Sequence, residues 1–247
     1  MISVSIIGHN EENNIKRCME SAKWADEIVF IDCGSTDRTA EISAGYTKNI
    51  FKKENNVNLN VNKQFGIDQC RNEWVLYIDP DEVITEGLKN EILSVVGKSS
   101  ASYGGYLIPR KNYYFGKFLG FGGKYPDYQL RLFRKNSGRF RCESVHERIS
   151  VNGKIGALKN PMLHYPYMNV SDMLKKSNFY TSRKAELLFS KKKRPGCRLL
   201  VPLLKFIENY IFKFGFLDGI TGFKVCIMDS YNEFVTLLKL KEIYDEK

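Results

Sequence analysis

The sequence predicts an α/β protein: a mostly parallel sheet with helices on both faces, followed by a helical C-terminal appendage. Three observations carry this expectation. Strand-type stretches alternate with segments of helical period over residues 1–97. The strongest of them are apolar on both faces, as in covered parallel sheets. Several end in Gly, Asn, Ser or Asp, residues suited to turns and helix N-caps. A βαβαβαβ order then favours right-handed crossovers.

Ile2–Ile7 is the first expected strand, broken by Gly8-His9-Asn10. From Glu11 to Trp24, Ile15, Cys18, Met19 and Ala22 recur at helical spacing. Glu27–Asp32 (EIVFID) is a second buried-type strand and runs into the turn CGSTD. A short helix is expected over Arg38 to Ala44, a third strand over Asn49–Lys52 and a helix over Asn60 to Gln69. Trp74–Ile78 is the fourth strand, and Glu86 to Val96 a helix. Residues 101–165 are rich in Gly, Tyr and Arg, with strands expected at Gly105–Arg110, Gln129–Arg134, Val145–Ile149 and Pro161–Tyr165. Met168 to Phe189 and Phe223 to Glu242 read as helices. Two domains are therefore expected, over residues 1–166 and 167–247. The first divides into a ligand-binding segment, 1–97, and a pocket-shaping segment, 98–166, and the second is helical.

A chain of 247 residues fits one large domain with an appendage and can bury a core without staples. Lys and Arg outnumber Asp and Glu by 38 to 28, a net +10 that suits an anionic partner. Nucleic acid is disfavoured, because the positive charge follows no helix-turn-helix, zinc or RNP pattern. The six cysteines form no C-x-x-C pair, which argues against a zinc site or disulfide framework and for a reducing compartment. The opening MISVSIIGHNEE lacks the basic and long apolar regions of a signal peptide. No uncharged apolar run reaches the roughly 18 residues of a spanning helix. A cytoplasmic protein is expected.

Chemistry concentrates at WVLYIDPDE, Trp74–Glu82. An apolar strand runs into Asp79, Asp81 and Glu82, and open α/β sheets bind ligands beyond the carboxyl ends of their strands. Pro80 biases Asp79 towards an extended backbone, and if Asp81 is also extended the two carboxylates face one target. Two hard oxygen ligands with room for water and phosphate suit Mg²⁺ or Mn²⁺. The plainer alternative is an acidic turn capping the helix that begins near Glu86.

Four stretches in order, IIGHNEE (Ile6–Glu12), FIDCGSTDRT (Phe30–Thr39), YIDPDE (Tyr77–Glu82), and PDYQLRLFRK (Pro126–Lys135) with GRFRCESVHERI (Gly138–Ile149), resemble the family 2 glycosyltransferases of GT-A fold. The likeness is to their lipopolysaccharide-core and surface-glycan glucosyltransferase branch, and FGFLDGITGF (Phe214–Phe223) extends it almost to the end of the chain. His9 and Cys33 depart from the usual residues, and Asn62-Lys63-Gln64 resembles a Gln-Lys-Asn element with its amides exchanged.

The resemblance implies an inverting, metal-dependent transfer of a hexose from a nucleotide-diphosphate sugar, UDP-linked, to a hydroxyl of a glycan or lipid-linked glycan acceptor. Asn10, Glu11, Asp32 and Asp37 would hold the nucleoside, although Glu11 and Asp37 also suit helix first-turn positions. Lys63 and Arg131 would face the diphosphate. Asp79 and Asp81 would hold Mn²⁺ or Mg²⁺, with His164 completing the shell. Glu147 falls where the family's acidic base motif lies, with Asp127 and His146 as alternatives. A regular strand cannot turn both Arg131 and Arg134 to one pocket. A competing class, the sugar-phosphate nucleotidyltransferases, would need a Gly-rich loop after the first strand, and Gly8-His9-Asn10-Glu11 is not one. A non-catalytic membrane-docking protein on the same fold is the other alternative.

Lys191–Phe216 carries a basic cluster, Lys191 to Arg194 with Arg198, and then an apolar face opposite a polar stripe of Lys205, Glu208, Asn209 and Lys213. That pattern suits a helix lying on an anionic membrane surface, placing the protein peripherally on the inner face of the cell membrane. Packing on the core, or on a second subunit of a homo-oligomer, is the alternative.

Overall fold

A computed structural model of the chain describes residues 1–56, 58–97, 103–142, 148–194 and 200–246. The strand expected at Val145–Ile149 falls mostly outside these residues, as do His146 and Glu147. The chain divides into two compact units: residues 1–110 with 128–164, and residues 111–127 with 165–247.

The first unit is built on strands β1 (Ile2–Gly8), β2 (Glu27–Asp32), β3 (Ile50–Lys52) and β4 (Trp74–Ile78), all mutually parallel where they pair. Between them run helices α1 (Ile15–Ala22), α2 (Thr39–Ala44) and α3 (Leu59–Gln69). Then come β5 (Glu82–Ile84), α4 (Glu86–Gly97), β6 (Tyr103–Tyr114), β7 (Lys117–Phe118), which falls in the second unit, and β8 (Asp127–Arg134). The short strands β9 (Gly138–Arg139), β10 (Ser150–Val151) and β11 (Lys154–Ala157) precede β12 (Met162–Tyr167). The main sheet has the order β3-β2-β1-β4-β8-β6-β12-β5. Strand order reverses at β1 and β4, which opens a crevice at their carboxyl ends. β8 runs antiparallel to β4, so the sheet is mixed, as large sheets often are.

Alternation along the strands divides the core into two layers. Val4, Ile6, Phe30, Leu76 and Ile78 pack with Ile15 and Met19 of α1 and Leu88 and Ile92 of α4 on one face. Ile7, Val29, Ile31, Val75 and Phe133 pack with Ile67 of α3 on the other. Complete burial of each such side chain contributes about 1.5–3 kcal/mol. Helix α3 closes on the sheet at Gly66, where a Cβ would stand 2.6 Å from Ser5 Oγ and 3.1 Å from Ile31 Cγ1. That approach sets the height of Lys63 above the sheet edge.

The expected elements of residues 1–97 are present, with α1 starting later than its periodicity suggests. Asn10 adopts a left-handed backbone (φ 55°), and the Asn14 and Ile15 amides donate to Glu11 O at 2.9 and 2.8 Å. Residues 10–14 therefore form a turn before the helix.

The second unit contains α5 (Val170–Ser190), α6 (Val201–Ile207) and α7 (Gly219–Asp245), with α5 and α6 both packed on α7. Residues 111–127 belong to it, whereas the sequence pattern groups all of 98–166 together. The cause is polar. The Asp218 carboxylate accepts from the amides of Gly120 (3.2 Å) and Phe121 (2.9 Å), and Lys124 Nζ pairs with Asp229 at 2.6 Å. Residues 201–216 are not one continuous amphipathic helix. α6 passes into a π-helical turn at Glu208–Phe212 and then a 3₁₀ turn at Gly215–Asp218.

Candidate active site

The loops after β1 and β2 are hydrogen-bonded into each other at the carboxyl edge of the sheet. The Cys33 amide donates to Gly8 O at 2.8 Å, and Asn10 Oδ1 accepts from the Thr36 amide at 2.8 Å. Glu11 N donates to Thr39 Oγ1 (2.7 Å), and Glu12 N to Asp37 Oδ2 (3.1 Å). Asp32 Oδ1 accepts from Ser35 N at 3.1 Å, which shapes the CGSTD turn. The structure thus brings Asn10, Glu11, Asp32 and Asp37 together. Asp37 also accepts from the Thr39 amide and hydroxyl at 2.9 and 2.5 Å, so it organises the start of α2. Burial pushes its carboxyl up, but these bonds and the one from Glu12 hold it below the usual carboxylate range.

The strand β4 ends in a tight turn rather than an extended Asp-x-Asp. Glu82 N donates to Asp79 O at 2.9 Å across Pro80-Asp81, and Asp79 N donates back to Glu82 Oε2 at 2.9 Å. Proline is favoured inside such turns because its φ is already set. The turn sends Asp79 and Asp81 to different partners, contrary to the expectation of one shared target.

Asp79 lies with the cations: its Oδ1 is 3.0 Å from Lys63 Nζ and its Oδ2 is 2.6 Å from Arg131 Nη2. Arg131 also reaches Glu82 Oε1 at 2.5 Å, and Arg110 Nη1 reaches the same oxygen at 3.1 Å. The guanidinium of Arg131 lies 4.4 Å from the centre of the Tyr77 ring, placed there by the antiparallel pairing of β8 with β4. Glu82 has no exposed surface and the Arg131 side chain only 4%. Burial would raise the Asp79 carboxyl, but Arg131 and Lys63 overcome it and hold it far below the usual range. Burial likewise disfavours the Lys63 ammonium, and Asp79 more than offsets this, so its pKa is raised. Arg134 turns elsewhere, to Glu73 and over the Trp74 ring. Only Arg131 of the two arginines faces this cluster.

Asp81 lies beside His164, with Oδ2 3.6 Å from Nε2. Antiparallel pairing of β12 with β5 sets His164 opposite Glu82, which explains how a histidine more than eighty positions away meets this turn. A carboxylate and an imidazole nitrogen at that separation fit a divalent ion that takes its other ligands from phosphate and water. Among the described residues no three Cys, His, Asp or Glu side chains gather as a ready-made metal cage. An ion completed by its ligand would find its protein donors in Asp81 and His164. Asp127 accepts from Asn112 Nδ2 at 3.2 Å.

Sequence reasoning singles out Lys63, Asp79, Asp81, Arg131 and His164, but misses the role of Glu82 and Arg110. The available signal is a pair of arginines, Arg110 and Arg131, on strands whose neighbours are mostly buried. Such arginines need an acid inside.

Acids, bases and polar loops are delivered to the edge of an open, mainly parallel sheet where α/β proteins bind their ligands. The chain belongs to Glycosyl transferase family 2, whose profile matches residues 3–152. It is 30% identical over 252 residues to the lipopolysaccharide core biosynthesis glycosyltransferase LpsC of Rhizobium meliloti, covering 97% of this chain and 91% of that protein. It is also 29% identical to a glycosyltransferase of Rickettsia typhi, covering 98% of this chain and 87% of that one. The structure of S. aureus TarS residues 1–349 in complex with UDP-GlcNAc superimposes with a TM-score of 0.51 at 14% identity, over 100% of this chain and 92% of that one. The fold is GT-A.

Proposed function

We propose that this glycosyltransferase is a metal-dependent, inverting hexosyltransferase that takes its sugar from a UDP-linked donor. Its acceptor is a hydroxyl of a growing surface glycan, of which lipopolysaccharide core is the example given by the R. meliloti relative. The observation that carries this reading is the edge of β4. Two cations, Lys63 and Arg131, and a carboxylate–imidazole pair, Asp81 and His164, gather beside the turn 79–82. Both kinds of group suit a nucleoside diphosphate. The UDP and UDP-GlcNAc complexes of S. aureus TarS are consistent with a uridine donor.

In this reading Asn10, Glu11, Asp32 and Asp37 form the nucleoside side of the site, and Lys63 faces the diphosphate with Arg131 buried behind it on Asp79 and Glu82. Asp81 and His164 bind Mn²⁺ or Mg²⁺, and Asp79 aligns Lys63 and Arg131. When bound, the ion offsets the charge that develops on the departing nucleoside diphosphate. The protein's own contribution is to orient the donor and exclude water, and to place a base at the acceptor hydroxyl on the face opposite the leaving group. Glu147 is assigned as that base, with Asp127 and then His146 next in order.

A screen of nucleotide sugars tests the proposal with one preparation. A UDP-hexose should be hydrolysed slowly with Mn²⁺ or Mg²⁺ present, and hydrolysis should stop on chelation. Equal turnover with and without chelator would remove the metal from the mechanism. Turnover of another nucleotide's sugar alone would remove uridine.

A further inference from the structure

In the second unit polar groups share the space between α7 and its neighbours with Val225, Leu237 and Leu240, while several large apolar side chains point out. Asn209, from the expected polar stripe, is buried and donates to Asp229 Oδ2 at 3.0 Å, beside the Lys124–Asp229 pair. Glu208 is held between Lys205 and Lys213. Lys205, Asn209, Lys213 and Asp229 line a polar cleft of about 310 Å³. Meanwhile Phe212 is 72% exposed, Ile220 67% and Leu200 64%, with Leu203, Leu204 and Phe214 more than half exposed.

The outward face is continuous along α7. Ile220, Phe223, Ile227, Tyr231, Phe234 and Leu238 are all exposed, at steps of three and four residues that keep them on one side of the helix. At 1.5 Å per residue this stripe is about 27 Å long. An apolar groove of about 590 Å³, bordered by Leu203 and Phe206 of α6 and by Phe223 and Phe234 of α7, joins it to α6. Contiguous apolar surface of this extent marks a site of contact with an apolar phase or partner.

Charge chooses the occupant. Residues 191–224 hold eight Lys and Arg against two acids, a net +6 out of +10 for the chain. Glu208 offsets part of this charge through Lys205 and Lys213, and the Asp218 carboxylate accepts from the Gly120 and Phe121 amides, so most of the excess is Lys191–Arg194 and Arg198. Two copies paired through this face by a two-fold axis would set like charges together. An anionic bilayer opposes them with negative charge and accepts the aromatic and aliphatic side chains. Among the described residues no helix is long and apolar enough to cross a membrane.

We propose that the face formed by α6, the turns 208–218 and the exposed stripe of α7 lies on an anionic lipid surface, with Lys191–Arg194 supplying the electrostatic attraction. The inference is independent of the donor, metal and base assigned above. Full-length protein should sediment with vesicles of phosphatidylethanolamine and phosphatidylglycerol, far less with phosphatidylcholine, and less as salt is raised. Replacing Lys191, Lys192, Lys193 and Arg194 by Gln should weaken the partition by about 100-fold or more. The pair Phe212→Ser and Ile220→Ser should weaken it by about 10-fold or more, with the thermal transition unchanged because both side chains are largely in water. Absence of binding to anionic vesicles, or binding that neither variant changes, would overturn the proposal. So would a dimer in sedimentation velocity that the Phe212→Ser and Ile220→Ser variant splits into monomers, which would give the face to a second copy.

Discussion

Glu147→Gln should lower kcat for sugar transfer by about 10²-fold or more while UDP affinity stays close to wild type. Inversion at the anomeric carbon requires removal of the acceptor proton as the new bond forms, and a positioned general base typically contributes about 10²–10⁴-fold. Glutamine keeps the size of the side chain but cannot take up that proton. The loss therefore belongs in the chemical step, and steady-state kinetics with a parallel UDP titration separates it from a binding defect. Asp127 is the competitor. Its carboxylate accepts from Asn112 Nδ2, which also donates to Lys124 O, so it is firmly oriented. If Glu147→Gln retains transfer and Asp127→Asn abolishes it, the base is Asp127. Activity in both variants would turn the assignment to His146.

Glu82→Gln should destabilise the protein by about 3–5 kcal/mol, the usual cost of breaking a buried ion pair from one side. Glu82 is wholly buried, its Oε1 meets both Arg131 and Arg110, and its Oε2 accepts the Asp79 amide. Neutralising it removes the buried charge that the two guanidinium groups share. Urea titration followed by circular dichroism reads the change. Glu41→Gln, at an exposed pair with Arg38, serves as control and should leave the transition where it is. A Glu82→Gln midpoint equal to wild type would mean that the cluster contributes nothing to the fold.

Much of the fold is legible in the sequence because its strands are central and buried on both faces. Trp74–Ile78 can hardly be read otherwise, and its chain position puts the acids at a ligand-binding edge. The local geometry is not legible. Asp79 and Asp81 are two apart, a spacing that in a strand means one face, and only the hydrogen bonds between Asp79 and Glu82 reveal a turn. His164 reaches Asp81 through the β5–β12 pairing, which no local pattern announces. The same limit applies to Asn209. At helical spacing it joins a polar stripe that ordinarily faces water, yet its bond to Asp229, twenty residues further on, draws Asn209 itself inward. The membership of residues 111–127 in the second unit is hidden for a similar reason, since their ties to Asp218 and Asp229 are long-range.

Asp81 and His164 are proposed to bind a divalent ion together with the donor's phosphates. Titration calorimetry of UDP, with Mn²⁺ and with chelator, tests it on wild type and on Asp81→Ala. Wild-type protein should bind UDP at least about 10-fold more tightly with Mn²⁺, and Asp81→Ala should erase that difference while still folding. Equal UDP affinity with and without the ion in the wild-type protein would contradict it.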